Sequence, residues 1–359
     1  MARYLSAIVG IYPQRPILIL RNSASFMINS TIDLDSLDQV EFRIYTIGYS
    51  RQGESILALL CENDRIIYSI LTDSFQKQSK GNKVYNALDD IFLQYQNPRI
   101  DLFIWTHPDL DHSIGIQYAL VTFDATRNAF VFLPDGLDRK DKYELCGLAK
   151  DAFDYINTHY IQKTQALPIS VSSKEERGIV KLRLKERMSG ASVNVDFWFL
   201  APSGEIVFKR SAQETSFTIN EMSIVYAVNL NGQNFLFTGD FEGKNIKMMG
   251  TDHMELLRFL KIPHHASFRS QSTVNKLLQL NAGNVVQTVT QKASTPDNDE
   301  LNNYLKLGKV YVASDDTKQD NQYGYVLIRY GVKDVNLIEP IGMVGNAHQH
   351  VSVQTLGQV

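Results

Sequence analysis

The apolar run Asp101 to Thr106, DLFIWT, leads without a break into His107-Pro108-Asp109-Leu110-Asp111-His112. Its shortness favours a buried strand over a helix. Pro108 supplies no amide to a ladder, so the strand stops at His107. Four metal-ligand side chains, His107, Asp109, Asp111 and His112, thus fall in six residues at the end of a buried strand. A polar surface loop could carry the same residues, but not directly after Phe103-Ile104-Trp105, which demand burial. In a tight loop alternate residues point to one side, so His107 and Asp109 can share one cation. Asp111 and His112 then turn toward a second. Imidazole with carboxylate suits zinc, and the oxygen-rich mixture also suits manganese.

Two later strand ends offer partners. Phe235-Leu236-Phe237-Thr238-Gly239-Asp240 ends in a carboxylate after a glycine, which alone reads as an ordinary turn. Leu260-Lys261-Ile262-Pro263-His264-His265-Ala266-Ser267 ends in paired histidines. The other histidines, His159, His253, His348 and His350, read as surface or tail residues. His348-Gln349-His350 has chelating spacing but sits in a polar C-terminal stretch.

Around these motifs the chain reads as strands first, then mixed helix and strand. Val40 to Ile47, Ser55 to Cys61 and Arg65 to Thr72 form successive antiparallel strands about a glycine turn at Gly48 to Gly53. Val84 to Tyr95 puts Leu88, Ile91, Phe92 and Tyr95 on one helical face. Lys142 to Ile161 is a second helix, with Leu145, Leu148, Ala149, Ala152, Phe153 and Ile156 at helical spacing. Strands follow at Val193–Leu200, Met222–Leu230 and Gln233–Thr238, the last two joined by an Asn231-Gly232 hairpin turn. Helices at Met254–Leu260, Thr273–Leu280 and Asn298–Leu305 alternate with strands at Val285–Val289 and Val310–Ala313. Two similar halves of this kind imply an α/β fold, two mixed β-sheets sandwiched between helices. The expected organisation is an N-terminal extension over 1–39, one domain over 40–335 with an insertion about 130–200, and a tail over 336–359.

Composition narrows the function classes. A chain of 359 residues, 44% hydrophobic, can bury one large domain. Its net charge of −3 gives no global basic field for nucleic acid, and the basic segment Lys174 to Arg187 reads as a solvated hairpin. Cys61 and Cys146 lack metal or redox spacing and fit a reducing compartment. No apolar run reaches the ~18 residues of a membrane span, and Met1 to Ile11 makes a poor signal peptide. A cytoplasmic protein without membrane contact is expected.

The ordered motifs resemble the metallo-β-lactamase superfamily, in the branch with His-x-Asp-x-Asp-His in place of His-x-His-x-Asp-His. Within it the chain is most similar to the ComEC-type hydrolase domain and to phosphorylcholine esterase. The resemblance covers roughly residues 40 to 330. It includes Gln52-Gly53-Glu54-Ser55, Ile70 to Ser74 with Asp73 at the family's aspartate, and the His107–Gly115 motif. Leu200-Ala201-Pro202, Asn220 to Val225, Thr238-Gly239-Asp240 and Lys261 to Ser267 follow in order. It implies an αββα sandwich holding two divalent ions, zinc or manganese. His107 and Asp109 would hold one ion, Asp111, His112 and His265 the other, with Asp240 bridging. His265 is preferred to His264 as the ligand. His264 would then face substrate as a hydrogen-bond donor or proton source, and Asp111 would orient the attacking water. Asn220 stands where many relatives carry another histidine, so it would be a weak ligand or an orienter. Ala266 replaces the glycine of His-His-Gly-Ser, and a later Tyr-Gly-His-Pro is represented only by Thr295-Pro296.

The activity so implied is hydrolysis of phosphodiesters, as a nuclease or another phosphodiesterase, by a hydroxide bridging the metals. Asp109, Asp111 and Asp240 against two divalent ions leave a formal +1, which that hydroxide neutralises, so an anionic substrate is tolerated. Ser267, Arg269 and Ser270 could hold phosphate oxygens. Carboxylic ester, lactone or thioester hydrolysis would use the same metals. A metal-stabilised sensor or interaction subunit in a bacterial defence or stress system would use them without turnover. The sequence names no protein partner.

Overall fold

The computed structural model describes the chain apart from residues 1–7, 13–14, 23–24, 50–51, 76–86, 136, 138–144, 146, 164, 173, 212–217, 282, 293–295, 297, 314–322 and 352–359. Side chains are also outside the description at 8–12, 15–22, 25–26, 210–211 and 244–245. Cys146, Thr295 and the starts of the two earlier expected helices therefore lie outside the described residues.

Strand Gly53–Glu62, GESILALLCE, shows why the apolar runs become strands. All ten of its residues are buried, and alternate ones serve different cores. Ile56, Ala58 and Leu60 face one apolar cluster, whereas Leu57, Leu59 and Cys61 face another. A strand covered on both faces must be continuously hydrophobic, which a half-exposed strand is not.

The described residues form two mixed sheets. In the eight-stranded sheet, Tyr323–Gly331, Val40–Tyr49, Gly53–Glu62 and Arg65–Thr72 are antiparallel neighbours. Leu102–Ile104, Phe130–Pro134 and Ala166–Ile169 then add in parallel. The eleven-stranded sheet repeats this plan. Arg177–Glu186, Ser192–Ala201, Val225–Leu230 and Gln233–Phe237 are antiparallel, and Leu257–Lys261, Val286–Thr290 and Val310–Ala313 continue in parallel. The Asn231-Gly232 turn, with φ of 49° and 81°, closes its expected hairpin.

Three cores hold these layers. Between the sheets, Phe42 meets Phe235 edge to face at 5.1 Å and Phe132 meets Phe199 at 5.2 Å. Outside the eight-stranded sheet, Phe103, Trp105 and Val131 pack on helices Ala87–Phe92, Ile116–Phe123 and Gly147–Ile156. Outside the other sheet, Leu236, Leu260 and Val289 pack on Gln271–Leu280 and Asn298–Tyr304. Helices thus cover the outer face of each sheet. Among the described residues no helix is long and apolar enough to cross a membrane.

Several expectations change. Leu257–Lys261 is a strand, not part of a helix over Met254–Leu260. Leu256 takes a left-handed φ of 51°, which stops a helix, and the Asn281 side chain bonds both Met254 O and Leu257 N. Leu148 is 50% exposed, because the buried stripe of its helix runs through Ala149, Ala152, Phe153 and Ile156. Part of the expected N-terminal extension, Ser25–Leu34, is a strand beside Arg177–Glu186, with Ile28, Ile32 and Leu34 in the central core. Residues 130–200, expected as an insertion, supply four strands of the two sheets. Within the expected tail, Gly342–Val344 and His348–His350 pair as edge strands. The basic segment does form a hairpin strand, with Lys181, Arg183 and Lys185 exposed.

Candidate metal centre

The site gathers at the carboxyl ends of parallel strands in both sheets, where open α/β sheets place their functional loops. After Arg65–Thr72 comes Asp73, and after Leu102–Ile104 comes the His107 to His112 loop. After Gln233–Phe237 comes Asp240, and after Leu257–Lys261 come His264 and His265. Gly239 lets the two halves approach. Its φ is 51°, and a Cβ there would lie 2.9 Å from Thr106, the residue before His107.

Asp111, His112, Asp240 and His265 are all buried, and one ligand atom from each lies within 4.8 Å of the others. His112 Nε2 is 3.3 Å from both Asp111 Oδ2 and Asp240 Oδ2. His265 Nε2 is 3.5 Å and 3.4 Å from the same two oxygens. His107 and Asp109 stand beside this group. The His107 ring lies 4.2 Å from that of His112, and His107 Nε2 is 3.7 Å from Asp109 Oδ2. Asp109 is the most open of the six, with a side chain 35% exposed.

The three histidines share one orientation, fixed from behind. His112 Nδ1 donates to Asp73 Oδ2 at 2.7 Å. His107 Nδ1 donates to Thr106 Oγ1 at 2.9 Å, and that hydroxyl donates to Asp73 Oδ2 at 2.6 Å. His265 Nδ1 donates to Thr290 Oγ1 at 2.9 Å, and that hydroxyl donates to Glu54. Each chain ends on a carboxylate, and each leaves Nε2 facing inward. His107 Nε2, His112 Nε2, His265 Nε2 and both Asp240 oxygens are buried without a hydrogen-bond partner. Orphaned buried polar atoms are costly, and those of His112, His265 and Asp240 gathered beside Asp111 fit a cation.

Charge points the same way. Glu54, Asp73, Asp109, Asp111 and Asp240 supply five carboxylates, against the ammonium groups of Lys261 and Lys292. Burial opposes charge on the imidazoles, but the carboxylates win: His112 is held well above its ordinary value and His265 is pushed up to about 9. Burial would likewise raise Asp240 and Asp111, and His265 and His112 more than offset it. The centre draws positive charge, and the described His and Asp groups could hold metal ions.

No protein-family model matches this chain, and no curated protein is detectably similar to it. The case for a centre here rests on its geometry.

The backbone at the second histidine motif is strained. His264, His265 and Ala266 take φ of 46°, 50° and 56° in succession, a left-handed run that L residues rarely adopt. The turn aims adjacent imidazoles apart, His265 into the cluster and His264 away from it. His264 Nε2 lies 3.2 Å from Asn220 Nδ2, whose amide also donates to Glu242 Oε1 at 3.3 Å. That nitrogen can only donate, so His264 Nε2 accepts, with its proton on Nδ1 toward Ser267 Oγ at 3.0 Å. Burial holds His264 below its ordinary value, consistent with a neutral ring. His264 thus sits in a side network with Asn220, Glu242 and Ser267. Asn220 bonds both Glu242 and His264.

Of the expected phosphate contacts, Ser270 is buried, donating to Ser267 O at 2.7 Å and lying 3.0 Å from Tyr304 OH. Its hydroxyl is used structurally. Arg269, half exposed, reaches Glu242 Oε1 at 3.1 Å. Two of the histidines read as surface or tail are also engaged. His253 stacks on Trp198 at 4.4 Å and bonds Glu176, and His350 is buried beside Asn302.

Four functional groups escaped the sequence reading as such: Glu54, Lys261, Glu242 and Lys292. Lys261 Nζ, fully buried, lies 2.6 Å from Glu54 Oε1, 3.0 Å from Gly239 O and 3.6 Å from Asp240 Oδ1. For Glu54 and Lys261 the available signal was a charge at the end of an apolar strand that must be buried, since such charges survive burial only in pairs.

Proposed function

We propose that this chain is a metal-dependent hydrolase of phosphodiesters, built on the metallo-β-lactamase plan its motifs resemble. The observation that carries this reading is the convergence of the buried Nε2 atoms of His112 and His265 on Asp240 Oδ2, none of the three with a hydrogen-bond partner, with Asp111 beside them. In this reading Asp111, His112, Asp240 and His265 would hold one divalent ion, and His107 and Asp109, beside them, would help to hold a second. Divalent ions of the zinc or manganese type would activate water and carry the charge that develops on a phosphoryl group.

The chain's own residues do the rest. Asp73 and Glu54, through Thr106 and Thr290, keep each imidazole in the tautomer that offers Nε2. Asp109, the most exposed carboxylate, marks the side from which substrate enters. Cationic Lys292 and Arg269, both partly exposed, favour an anionic substrate over a neutral ester.

Metal analysis of the reconstituted protein, with kinetics on bis-nitrophenyl phosphate, single-stranded DNA and a nitrophenyl carboxylic ester, tests this reading. Close to two ions per chain and turnover of the phosphodiesters are expected. Asp240→Ala should lose both ions together. Turnover confined to the carboxylic ester overturns the phosphodiester assignment, and bound metal without any turnover points to a sensor.

A further inference from the structure

Asp111 Oδ2 is the most contested atom of the centre. His112 Nε2 lies 3.3 Å from it and His265 Nε2 3.5 Å, while Lys292 Nζ is closer, at 2.6 Å. A divalent ion held at that oxygen among those imidazoles would lie a few ångströms from the ammonium group, and two like charges that close in a buried site repel, so metal entry favours withdrawal of the lysine.

The two lysines of the site differ in what they can do about this. Lys261 is fully buried, pairs with Glu54, and has no route to solvent. Lys292 follows strand Val286–Thr290 at the rim, and its side chain is 32% exposed. Lysine is a compact point charge on a flexible four-carbon stem, able to swing several ångströms without moving its backbone. Its ammonium lies 2.6 Å from Asp111 Oδ2, the oxygen that the His112 and His265 imidazoles also approach. It stands where a cation is wanted and can withdraw toward the opening.

We propose that Lys292 is an exchangeable cation of this centre, yielding Asp111 to an incoming divalent ion and then holding the phosphoryl group of an anionic ligand. The proposal rests on the metal-centre reading above and adds a role that reading does not need. It makes metal uptake and anion binding cooperative, because the first releases the group that serves the second. No bond is made or broken; one charge-assisted hydrogen bond is exchanged for another.

Titration calorimetry on the full chain separates the possibilities, with zinc or manganese alone and then with inorganic phosphate on the metal-loaded protein. Lys292→Met removes the competitor, so metal should bind roughly tenfold tighter, the scale of one charge-assisted hydrogen bond. Phosphate should bind the loaded variant roughly tenfold more weakly for the same reason. Lys292→Arg, which keeps the charge and the reach, should restore phosphate binding. Unchanged or weaker metal affinity in Lys292→Met, or unchanged phosphate affinity, overturns this proposal while leaving the metal centre standing. A wild-type chain that takes up no divalent ion overturns the metal centre, and this proposal with it.

Discussion

In the eight-stranded half, the loop after Leu102–Ile104 is held by hydrogen bonds that converge on Asp73. In the eleven-stranded half, the loop after Leu257–Lys261 is held by left-handed backbone and by an ion pair reaching across to Glu54 of the other sheet. Asp73 accepts from Thr106 N at 2.7 Å, Thr106 Oγ1 at 2.6 Å and His112 Nδ1 at 2.7 Å. The second loop instead depends on two fully buried charges 2.6 Å apart and on three residues at positive φ. The first arrangement fails by one hydrogen bond at a time. The second fails at once, because removing either partner strands a charge inside the protein.

The largest effect should therefore come from Lys261→Met. Breaking a buried pair from one side typically costs about 3–5 kcal/mol, and here it also leaves Glu54 beside Asp240. Denaturant unfolding should show that loss, and the double variant Glu54→Leu with Lys261→Met should recover most of it. The double variant should still bind metal poorly, since the carboxylate behind Thr290 and His265 is gone. A cost below about 1 kcal/mol for Lys261→Met would mean that the pair is not what holds this half.

Asp73→Asn tests the other half and should cost less. An amide in place of the carboxylate turns one acceptor oxygen into a donor facing donors, a loss of about 1–3 kcal/mol. The fold should survive, while metal affinity should drop by roughly 10–100-fold, as for other outer partners of ligand histidines. Calorimetric metal titration beside a melting curve measures both. Unaltered affinity would show that His112 is oriented by something other than Asp73.

The same contrast explains what the sequence could and could not reveal. The His107 to His112 loop was legible because four ligand side chains crowd six residues after a strand that must be buried. Asp240 and the paired histidines were legible only as strand ends, and it took the turn through φ of 46° and 50° to send His265 inward and His264 aside. Glu54 and Lys261 were hidden because they lie 207 positions apart, each a charge at one end of an apolar strand, and only the stacking of two sheets brings them together. Leu257–Lys261 read as helix for a related reason. A short buried parallel strand and a buried helix segment share the same apolar pattern, and Leu256 and Asn281 decide between them. The layered α/β order came from periodicity, whereas the roles of 25–34 and 130–200 depended on which strands pair across long separations.

Strand Gly53–Glu62 carries a milder version of the contrast at its far end. Glu54 begins the strand within the site, and Glu62 ends it, pairing with Arg65 and accepting from Asp35 N at 2.9 Å and Ser36 N at 3.4 Å. Burial would raise the Glu62 carboxyl, but Arg65 and those backbone amides bring it below its ordinary value of 4.5. A depressed carboxyl adds stability that is present above 4.5 and is lost as pH falls through the folded-state value. Glu62→Gln should thus lower stability by about 1 kcal/mol at neutral pH, and the difference from wild type should shrink below pH ~4. A difference that persists unchanged in acid would place the effect in packing instead of charge.

Ala266→Gly should have the smallest effect, and it isolates the strained turn from the ion pair beneath it. Holding a non-glycine residue at φ of 56° costs about 1–2 kcal/mol, which glycine would remove. Glycine gives back about 0.5–1 kcal/mol through the freedom it has in the unfolded chain. Losing a buried methyl at this fully buried position gives back about 0.8 kcal/mol more. The terms nearly cancel, so stability should stay within about 1 kcal/mol of wild type and metal affinity should be unaltered. A loss of either would mean that the Ala266 methyl itself wedges His265 against Thr290. Turnover that rises in the glycine variant would instead locate the restraint in the turn, which the shorter residue relaxes.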